Sequence, residues 1–432
     1  MSFNSLPGFR DFYPEDCQLR NFIFNVWRRV CRQHNFAEYD APILQPTELF
    51  TGKSGAEIVG QLFNFTDKGG REVTLRPEMT PYVCQMVAQK AQSLKRPIKW
   101  FSIGEFFRYE RQQKGRLRSF YQLNADIFDE ADVTAEVELL ALVIDVFRAF
   151  GLTQEQFAVR LSDRTLWLEL LAAQGLNDEQ SKSALQIVDK WEREEPAETK
   201  KKIEALGAKG LYETLSELMK IKSLSNLESF ISSQKKTSEK LATRVEEWKK
   251  VLADLKAMGY GDFIQVDLGI VRGLAYYTGF VFEVFQKSGE GRALAGGGRY
   301  DNLVEKVGGP KMAAFGMGLG DVTLTDCLRE NNLLPQMTAG CDMYMIYTSD
   351  ATRAKLLEIL PQLRMAGMSV EMPLKSAGFG KLLKAADKAG ARHVLILGDD
   401  ELTKGAAKMK NLASGEEREI PLAQLLARAL GE

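Results

Sequence analysis

A loop crowded with cations is the clearest sign of chemistry in this sequence of 432 residues. Between residues 106 and 126, four basic side chains surround one glycine: Arg111, Lys114, Arg116 and Arg118. Arg108 and Glu110 stand just before them. A planar guanidinium suits phosphate, and arginines beside carboxylates are costly to bury unless they meet a ligand or one another. The stretch therefore indicates either a phosphate-binding site or an exposed, salt-bridged hairpin.

Two β-strands are predicted on either side of this loop. Residues 98–107 are rich in β-branched and aromatic side chains, and residues 120–128 alternate between two phases. One phase holds Phe120, Gln122, Asn124 and Asp126. A long hairpin would place Arg108 and Glu110 opposite Gln122 and Asp126, with the cations at its tip.

The stretch resembles motif 2 of class II aminoacyl-tRNA synthetases, in the form found in histidyl-tRNA synthetases. The matching strings are Phe-Arg-x-Glu-Arg, Lys-Gly-Arg-x-Arg and Phe-x-Gln-x-x-x-Asp. The resemblance covers the whole chain. Residues 39–50, with their two prolines, are similar to motif 1, and residues 75–80 read Leu-Arg-Pro-Glu-Met-Thr. Residues 272–278 and 296–301 are similar to the two histidine-specific signatures of the family.

The resemblance implies a role for each candidate site residue. Arg108 would bind the α-phosphate of ATP, and Arg272 would stabilise the negative charge that develops there. The residues expected to contact ATP are Arg108, Glu110, Arg116 and Phe120. Those expected to bind histidine are Glu78, Thr80 and Gln122 at the ammonium group, and Asp126, Tyr277 and Tyr300 at the imidazole. Those expected near the acceptor end of the tRNA are Arg111, Lys114 and Arg118.

Two of these assignments have structural alternatives. Glu78 precedes a helix expected from Tyr82, where an acidic residue also complements the helix dipole. Tyr276 and Tyr277 could be core residues, and the glycines of both signatures could serve packing alone.

The sequence departs from the family pattern at three positions. Ala275 stands where an aspartate is usual, and Asp126 stands where many members have glutamate. Motif 3 usually ends in an arginine that clamps ATP, but here Gly320 and Asp321 take its place. We expect Asp321 to face away from the triphosphate or to pair with Arg116 or Arg118.

The fold class that the resemblance implies is α+β. A class II synthetase antiparallel sheet flanked by helices would carry a helical insertion domain and a C-terminal α/β anticodon-binding domain. Residues 1–163 would form the first part of the catalytic core, with motifs 1 and 2, and residues 164–258 the insertion. Residues 259–335 would complete the core with the histidine signatures and motif 3, and residues 338–432 would bind the anticodon.

Composition restricts the possible classes of function. The formal net charge of −1 means that a nucleic acid would have to be held by local basic patches. No run of 18 apolar residues predicts a membrane span, and the first residues lack the pattern of a signal peptide. Five scattered cysteines indicate a cytoplasmic protein with reduced thiols. Two histidines nearly exclude a serine-type triad or a histidine-rich metal site.

The activity implied by the resemblance is ligation of histidine to its tRNA through histidyl-adenylate. ATP would be consumed, with Mg²⁺ accompanying it, and no metal site is expected in the protein itself. The partners would be tRNA(His) and a second copy of the chain, without DNA or membrane. A carboxylate is already a nucleophile, so positioning and charge stabilisation suffice for the first step. The alternative is a non-catalytic synthetase-like regulatory or RNA-sensing protein, such as a regulatory subunit of histidine biosynthesis.

Overall fold

The computed structural model describes residues 4–51, 59–111, 113, 115–233, 238–271, 276–288, 292–336 and 340–425. The predictions for Lys114, Arg272 and Ala275 lie outside these residues. Contacts divide the chain into two compact units. One comprises residues 1–11 and 20–334, and the other comprises residues 12–19 and 335–432. The four domains expected from the sequence remain a prediction.

The strands before residue 335 belong to two sheets. In chain order they are β1 (Ala37–Glu38), β2 (Leu44–Pro46), β3 (Phe63–Thr66), β4 (Glu72–Leu75), β5 (Ile98–Phe107), β6 (Ser119–Phe128), β7 (Phe157–Asp163), β8 (Ile264–Val266), β9 (Phe280–Gln286), β10 (Ala295–Arg299) and β11 (Ala314–Gly320). The larger sheet has the order β1-β5-β6-β11-β10-β9-β7-β8, and β2-β4-β3 form the smaller one. In the larger sheet β1–β5 and β7–β8 are parallel, and its other pairs are antiparallel. The predicted α+β class, with a mainly antiparallel sheet, is confirmed.

The helices before residue 335 flank this sheet or fill the segment between β7 and β8. In chain order they are α1 (Pro14–Gln33), α2 (Glu48–Thr51), α3 (Thr80–Lys90), α4 (Thr134–Ala149), α5 (Arg164–Ala173), α6 (Asp178–Val188), α7 (Pro196–Glu204), α8 (Leu211–Leu218), α9 (Leu224–Ser233), α10 (Glu239–Ala257), α11 (Leu303–Lys306) and α12 (Asp321–Glu330). Helix α3 starts two residues before the predicted Tyr82, because Pro81 fits in the first turn of a helix. Across the described ranges, no helix is long and apolar enough to cross a bilayer.

One face of the large sheet is buried in the core, and the other carries the candidate ligand-binding residues. Phe101, Ala125 and Met317 stand opposite one another on three adjacent strands and are buried in the core. The same face carries Arg299, whose guanidinium pairs with the fully buried Glu136 of α4. Because α4 covers this face, the opposite face, which carries Asp126, is left for a ligand.

The pairing of β5 with β6 corrects one prediction. Trp100 stands opposite Asp126, and Gly104 stands opposite Gln122. The expectation that Arg108 and Glu110 face Gln122 and Asp126 is therefore wrong. Pairing continues along the full length of β5 and β6, so residues 108–118 form the loop. Packing between the apolar side chains of the two strands sets the register.

The second unit contains a five-stranded α/β sheet. Its strands are β12 (Met343–Tyr347), β13 (Val370–Glu371), β14 (His393–Leu397), β15 (Ala406–Asn411) and β16 (Glu417–Pro421), in the order β13-β12-β14-β15-β16. Its helices are α13 (Asp350–Met365), α14 (Phe379–Lys388) and α15 (Asp399–Lys404). The predicted α/β architecture is confirmed, and sequence reasoning missed the antiparallel pair β15–β16. Most of the helix predicted at residues 422–430 lies outside the described residues.

Candidate active site

A strip of glycines forms the floor of the candidate site. Gly316 and Gly318 of β11 run beside β6 on the face that carries Gln122 and Asp126. A Cβ atom at Gly316 would overlap the Asp126 carboxylate, and one at Gly318 would lie 2.6 Å from Gln122 Nε2. Glycine is required here because the polar side chains of β6 lie across the neighbouring strand.

Asp126 and Tyr300 close one end of this floor. Asp126 is 2% exposed, and the Tyr300 hydroxyl donates a short hydrogen bond to Asp126 Oδ1. Burial raises the pKa of Asp126 to about 7, while the hydrogen bond from Tyr300 opposes the rise. A buried carboxyl group that titrates near neutrality can accept a hydrogen bond from a ring N–H group in its ionised form.

Glu78 and Tyr276 lie together at another point of the site. Glu78 is 5% exposed, and the Tyr276 hydroxyl donates a hydrogen bond of 2.9 Å to Glu78 Oε2. Thr80, at the start of α3, also lies beside this hydroxyl. The ring centroid of Tyr276 is 5.0 Å from that of Tyr277 and 5.9 Å from that of Tyr300. An aromatic wall therefore connects the two carboxylates.

Tyr276 is a site residue that the sequence reasoning missed. The motif presents two adjacent tyrosines, and the sequence contains no signal that tells which one reaches Glu78. The ring of Tyr277 instead packs against Gly298, where an added Cβ would lie 2.7 Å from it. Both tyrosines are buried. The two interpretations, as core residues and as residues that line the site, therefore do not exclude each other.

Arg108 is held beside Phe120 on the same face. Its Nε donates a hydrogen bond of 2.9 Å to the Pro77 carbonyl oxygen, next to Glu78. Its guanidinium carbon lies 5.3 Å from the centroid of the Phe120 ring. These contacts bring the cation predicted to bind phosphate close to the carboxylate predicted to bind the ammonium group.

The cationic loop contains an ion pair and a cation–π contact of its own. Arg116 NH1 lies 2.6 Å from Glu110 Oε2, and the Arg116 side chain is 45% exposed. The Arg118 guanidinium lies 4.2 Å from the centroid of the Tyr109 ring, and Arg111 is exposed. The interpretation as an exposed, salt-bridged hairpin therefore applies to part of the loop. The exposed arginine side chains remain accessible to a phosphate ligand.

Asp321 has a different partner from the one predicted. Its Oδ2 accepts a hydrogen bond of 2.8 Å from Arg10, and its Oδ1 accepts one of 2.9 Å from the Tyr121 backbone. Burial raises the pKa of Asp321, while Arg10 opposes the rise. Of the two predicted alternatives, pairing with Arg116 or Arg118 is not observed, because both carboxylate oxygens of Asp321 are taken by Arg10 and the Tyr121 backbone. The other alternative, that Asp321 faces away from the triphosphate, stays a prediction.

A buried ion pair supports the segment that follows Tyr277. Thr165, in the first turn of α5, donates a hydrogen bond of 2.7 Å from its hydroxyl to the Thr278 carbonyl oxygen. Asp163, which is fully buried, caps α5 and pairs with Arg244 of α10. A helix from the 164–257 segment is thus tied to one wall of the site.

The structure places most of the predicted site residues on one face of the large sheet or beside it. These are Glu78, Thr80, Arg108, Phe120, Gln122, Asp126, Tyr277 and Tyr300. Arg272 and Lys114 lie outside the described residues. Within the described ranges, no three His, Cys, Asp or Glu side chains are grouped as a metal site would require.

Comparisons with known proteins agree with this fold. The profile of the family described as Histidyl-tRNA synthetase matches residues 8–321, and that of the Anticodon binding domain matches residues 342–431. The histidine–tRNA ligase of Opitutus terrae is 50% identical over 428 residues, covering 99% of this chain and 98% of the relative. That of Leptospira biflexa is 38% identical, covering 98% and 96%.

Solved structures show the same fold at lower identity. The crystal structure of histidyl-tRNA synthetase from Nostoc sp. PCC 7120 has a TM-score of 0.85 and 24% identity, with 99% of both chains covered. A Bacillus halodurans structure, described as an ATP phosphoribosyltransferase regulatory subunit/histidyl-tRNA synthetase, has a TM-score of 0.76 and 21% identity. It covers 92% of this chain and 99% of that one.

The antiparallel sheet, the motif 2 hairpin and the separate α/β domain define an aminoacyl-tRNA synthetase fold. With its profile match and its full-length relatives, the chain belongs to the histidyl-tRNA synthetase family.

Proposed function

We propose that this chain ligates histidine to tRNA(His) in two steps. The histidine carboxylate attacks the α-phosphorus of ATP, which forms histidyl-adenylate and releases pyrophosphate. A hydroxyl of the terminal ribose of the tRNA then attacks the acyl carbonyl carbon, which forms histidyl-tRNA and releases AMP. Neither step requires a protein nucleophile, and positioning and electrostatic stabilisation lower the barrier.

Two buried carboxylates, each hydrogen-bonded to a tyrosine, are the observation that supports this proposal. Glu78, held by Tyr276, offers a negative group to the α-ammonium, and Asp126, held by Tyr300, offers an acceptor to an imidazole N–H. Gln122 and Thr80 complete the ammonium site, and Tyr277 lines the ring. A small amino acid with two polar ends fits this arrangement, and the glycine floor leaves space for it.

The arginines serve the phosphates in this proposal. Arg108 binds the α-phosphate from its position between Pro77 and Phe120, and Phe120 stacks on the adenine. Arg272 would stabilise the developing charge, as the family resemblance implies. Arg116 exchanges its contact with Glu110 for the outer phosphates. Mg²⁺ would arrive bound to ATP, whose phosphate oxygens are its preferred ligands.

The tRNA would contact the loop and the second unit. Arg111, Lys114 and Arg118 would meet the acceptor end, where phosphates and splayed bases are accessible. The match of residues 342–431 to an anticodon-binding domain supports a second contact there. The regulatory alternative is less well supported, because full-length relatives with 50% and 38% identity are named histidine–tRNA ligases.

A homodimer through motif 1 is also part of the proposal. Ile43, just before β2, is 42% exposed, and Leu44, the first residue of β2, is 45% exposed. Phe65 on β3 is 48% exposed. Exposed apolar side chains on one small sheet suit a self-complementary two-fold contact. Sedimentation at micromolar concentration should show a dimer, and a monomer alone would contradict this part.

The exchange of pyrophosphate into ATP tests the first step. With ATP and Mg²⁺, histidine should support exchange, while the other standard amino acids should support far less. Arg272→Ala should lower the rate at least ~10²-fold, since a preorganised charge donor is lost. A folded wild type without histidine-dependent exchange at millimolar ATP would contradict the activation step.

A further inference from the structure

Three buried polar atoms on the active-site face make no hydrogen bond of normal geometry to any described residue. They are the Tyr39 hydroxyl, the Ser102 hydroxyl and the Asn124 side-chain nitrogen, here named the Tyr39 cluster. Ser102 and Asn124 stand directly opposite each other on β5 and β6. The Tyr39 backbone N–H donates to the Phe101 carbonyl oxygen at 2.9 Å, which places Tyr39 beside Ser102.

The Tyr39 cluster lies next to Asp126. The Tyr39 ring packs on Trp100 with centroids 5.6 Å apart, and Trp100 is the cross-strand neighbour of Asp126. Burial raises the pKa of the Tyr39 hydroxyl, the charge of Asp126 raises it further, and the neighbouring Ser102 hydroxyl opposes the rise. The Tyr39 hydroxyl in turn contributes to the raised pKa of Tyr300. The cluster therefore shares the end of the pocket that Asp126 and Tyr300 close.

Unpaired buried groups of this kind are costly. Most buried polar atoms in folded proteins are hydrogen-bonded, and leaving one unpaired costs about 1–3 kcal/mol. Phenylalanine in place of Tyr39, alanine in place of Ser102 and an apolar residue in place of Asn124 would remove this cost. Keeping all three polar groups in one place is consistent with a bound group that pairs with them.

The chemistry of the cluster restricts that bound group. Two hydroxyls and an amide are neutral, and each hydroxyl can both donate and accept. A neutral imidazole has one N–H donor and one nitrogen acceptor, so it needs partners of both kinds. Asp126 in its ionised form serves only as an acceptor, which leaves the second ring nitrogen in need of a donor.

We propose that Tyr39 is a further specificity-determining residue, whose hydroxyl contacts the imidazole of bound histidine. Ser102 and Asn124 support it as the polar wall behind the ring. This inference rests on the proposed function and adds a residue from the motif 1 region to the histidine pocket. Tyr39 thereby supplies a hydroxyl at the end where Asp126 has a short side chain.

The variant Tyr39→Phe tests this role, because it removes only the hydroxyl. Histidine-dependent pyrophosphate exchange should show a KM for histidine raised about 10-fold or more, since a hydrogen bond to the substrate is lost. The KM for ATP should stay within about 2-fold. Ser102→Ala should shift the KM for histidine in the same direction by a smaller factor.

Thermal stability separates recognition from a structural role. Without histidine, Tyr39→Phe should melt at the same temperature as the wild type or higher, because an unpaired buried hydroxyl has been removed. Added histidine should stabilise the variant less than the wild type. A structural hydroxyl would give the opposite pattern, with a lower melting temperature and an unchanged KM.

The matched control is Tyr121→Phe, on the opposite phase of β6, whose ring packs on Phe24 at 5.2 Å. It should leave the KM for histidine unchanged. A normal KM in Tyr39→Phe, with an active wild type, would overturn the inference alone. A wild type that neither binds nor activates histidine would overturn the proposed function and this inference together.

Discussion

The Tyr300 hydroxyl donates a short hydrogen bond to the carboxylate of Asp126, and both side chains are almost completely buried. The two residues lie on neighbouring segments of one sheet face, over the glycine at position 316. Burial raises the pKa of Asp126 from 3.8 to about 7, so this carboxyl is costly to ionise in the folded chain.

Asp126→Asn should stabilise the protein at high pH while it harms histidine use. A carboxyl whose pKa is raised by folding favours the native state below its unfolded pKa, near 4, and disfavours it increasingly up to about 7. The full difference is on the order of 4 kcal/mol as an upper bound. The gain in melting temperature of the variant over the wild type should therefore be larger at pH 8 than at pH 5.

The same variant should lower kcat/KM for histidine by ~10- to 100-fold, because a charge-assisted hydrogen bond is lost. Asparagine keeps an acceptor for Tyr300, so the fold should be retained. Melting curves at both pH values, with exchange kinetics, check the two effects. An equal stability change at pH 5 and pH 8 would show that Asp126 is not the titrating group.

Disruption of the Arg10–Asp321 pair should weaken ATP use indirectly. Asp321 holds Arg10, and the nearby Gly8 carbonyl accepts hydrogen bonds from the Arg118 and Ser119 backbones at 2.9 and 3.1 Å. Asp321→Ala should therefore lower stability and raise the KM for ATP, because the N-terminal segment and the loop lose a common anchor.

A double-mutant cycle tests this coupling. If the pair acts as a unit, Arg10→Ala combined with Asp321→Ala should cost little more than either change alone. The KM for ATP and the melting temperature are measured for all four proteins. Strictly additive effects, or a lower KM for ATP in Asp321→Ala, would contradict the anchoring role.

The Asp163–Arg244 pair should affect the histidine site from a distance. Asp163→Asn keeps the cap of α5 but removes the charge that faces Arg244. Because the first turn of α5 holds the segment after Tyr277, we expect a raised KM for histidine with a nearly unchanged KM for ATP. Exchange kinetics measure both constants.

Lys250→Gln provides a control on the same helix, α10. Its ammonium group pairs with Asp132 at 2.7 Å on the surface, and surface pairs contribute little. It should leave both constants unchanged. If Asp163→Asn matches this control in the KM for histidine, the pair has only a structural task.

His34 should stabilise the protein in acid. Its ring nitrogens lie 3.3 Å from Glu138 and 3.2 Å from Asp145, and the hydrogen bond to Glu138 is the main cause of its raised pKa. Lys99, bonded to Glu138, and Tyr260, bonded to Asp145, face the same group. A histidine whose pKa is raised by folding adds stability below about 6.5, and this is lost as the pH rises through the folded pKa.

The variant His34→Gln should therefore lower the melting temperature more at pH 5.5 than at pH 9. Glutamine keeps a polar side chain of similar size without the titrating ring. Melting curves across this range, with the wild type measured in parallel, check the expectation. A loss that is constant with pH would mean that packing, and not charge, is the contribution of His34.

The alternation of Gln122, Asn124 and Asp126 was enough to predict which side chains share a face of β6. It did not predict the register, because a cationic loop contains no turn signal that specifies where pairing ends. The partners of Asp321 and Glu78, namely Arg10 and Tyr276, are 311 and 198 positions away in the chain. Contacts over such distances depend on the assembled sheet and cannot be inferred from local pattern.

The Tyr39 cluster could not be predicted for a similar reason. Tyr39 precedes the prolines of motif 1, and its chemistry appears only when β1 pairs with β5. Three unremarkable polar residues then form one buried polar surface. The absence of hydrogen bonds of normal geometry within the described chain is a tertiary property without a sequence signature.

Aminoacylation with tRNA(His) tests the central claim most directly. The purified full-length protein is incubated with ATP, Mg²⁺, labelled histidine and a tRNA(His) transcript, and acid-precipitable histidine is counted over time. A second tRNA of different identity and a reaction without ATP are the controls. The account predicts histidyl-tRNA only with tRNA(His) and ATP. A folded protein that binds histidine but forms no histidyl-tRNA in this assay would contradict it.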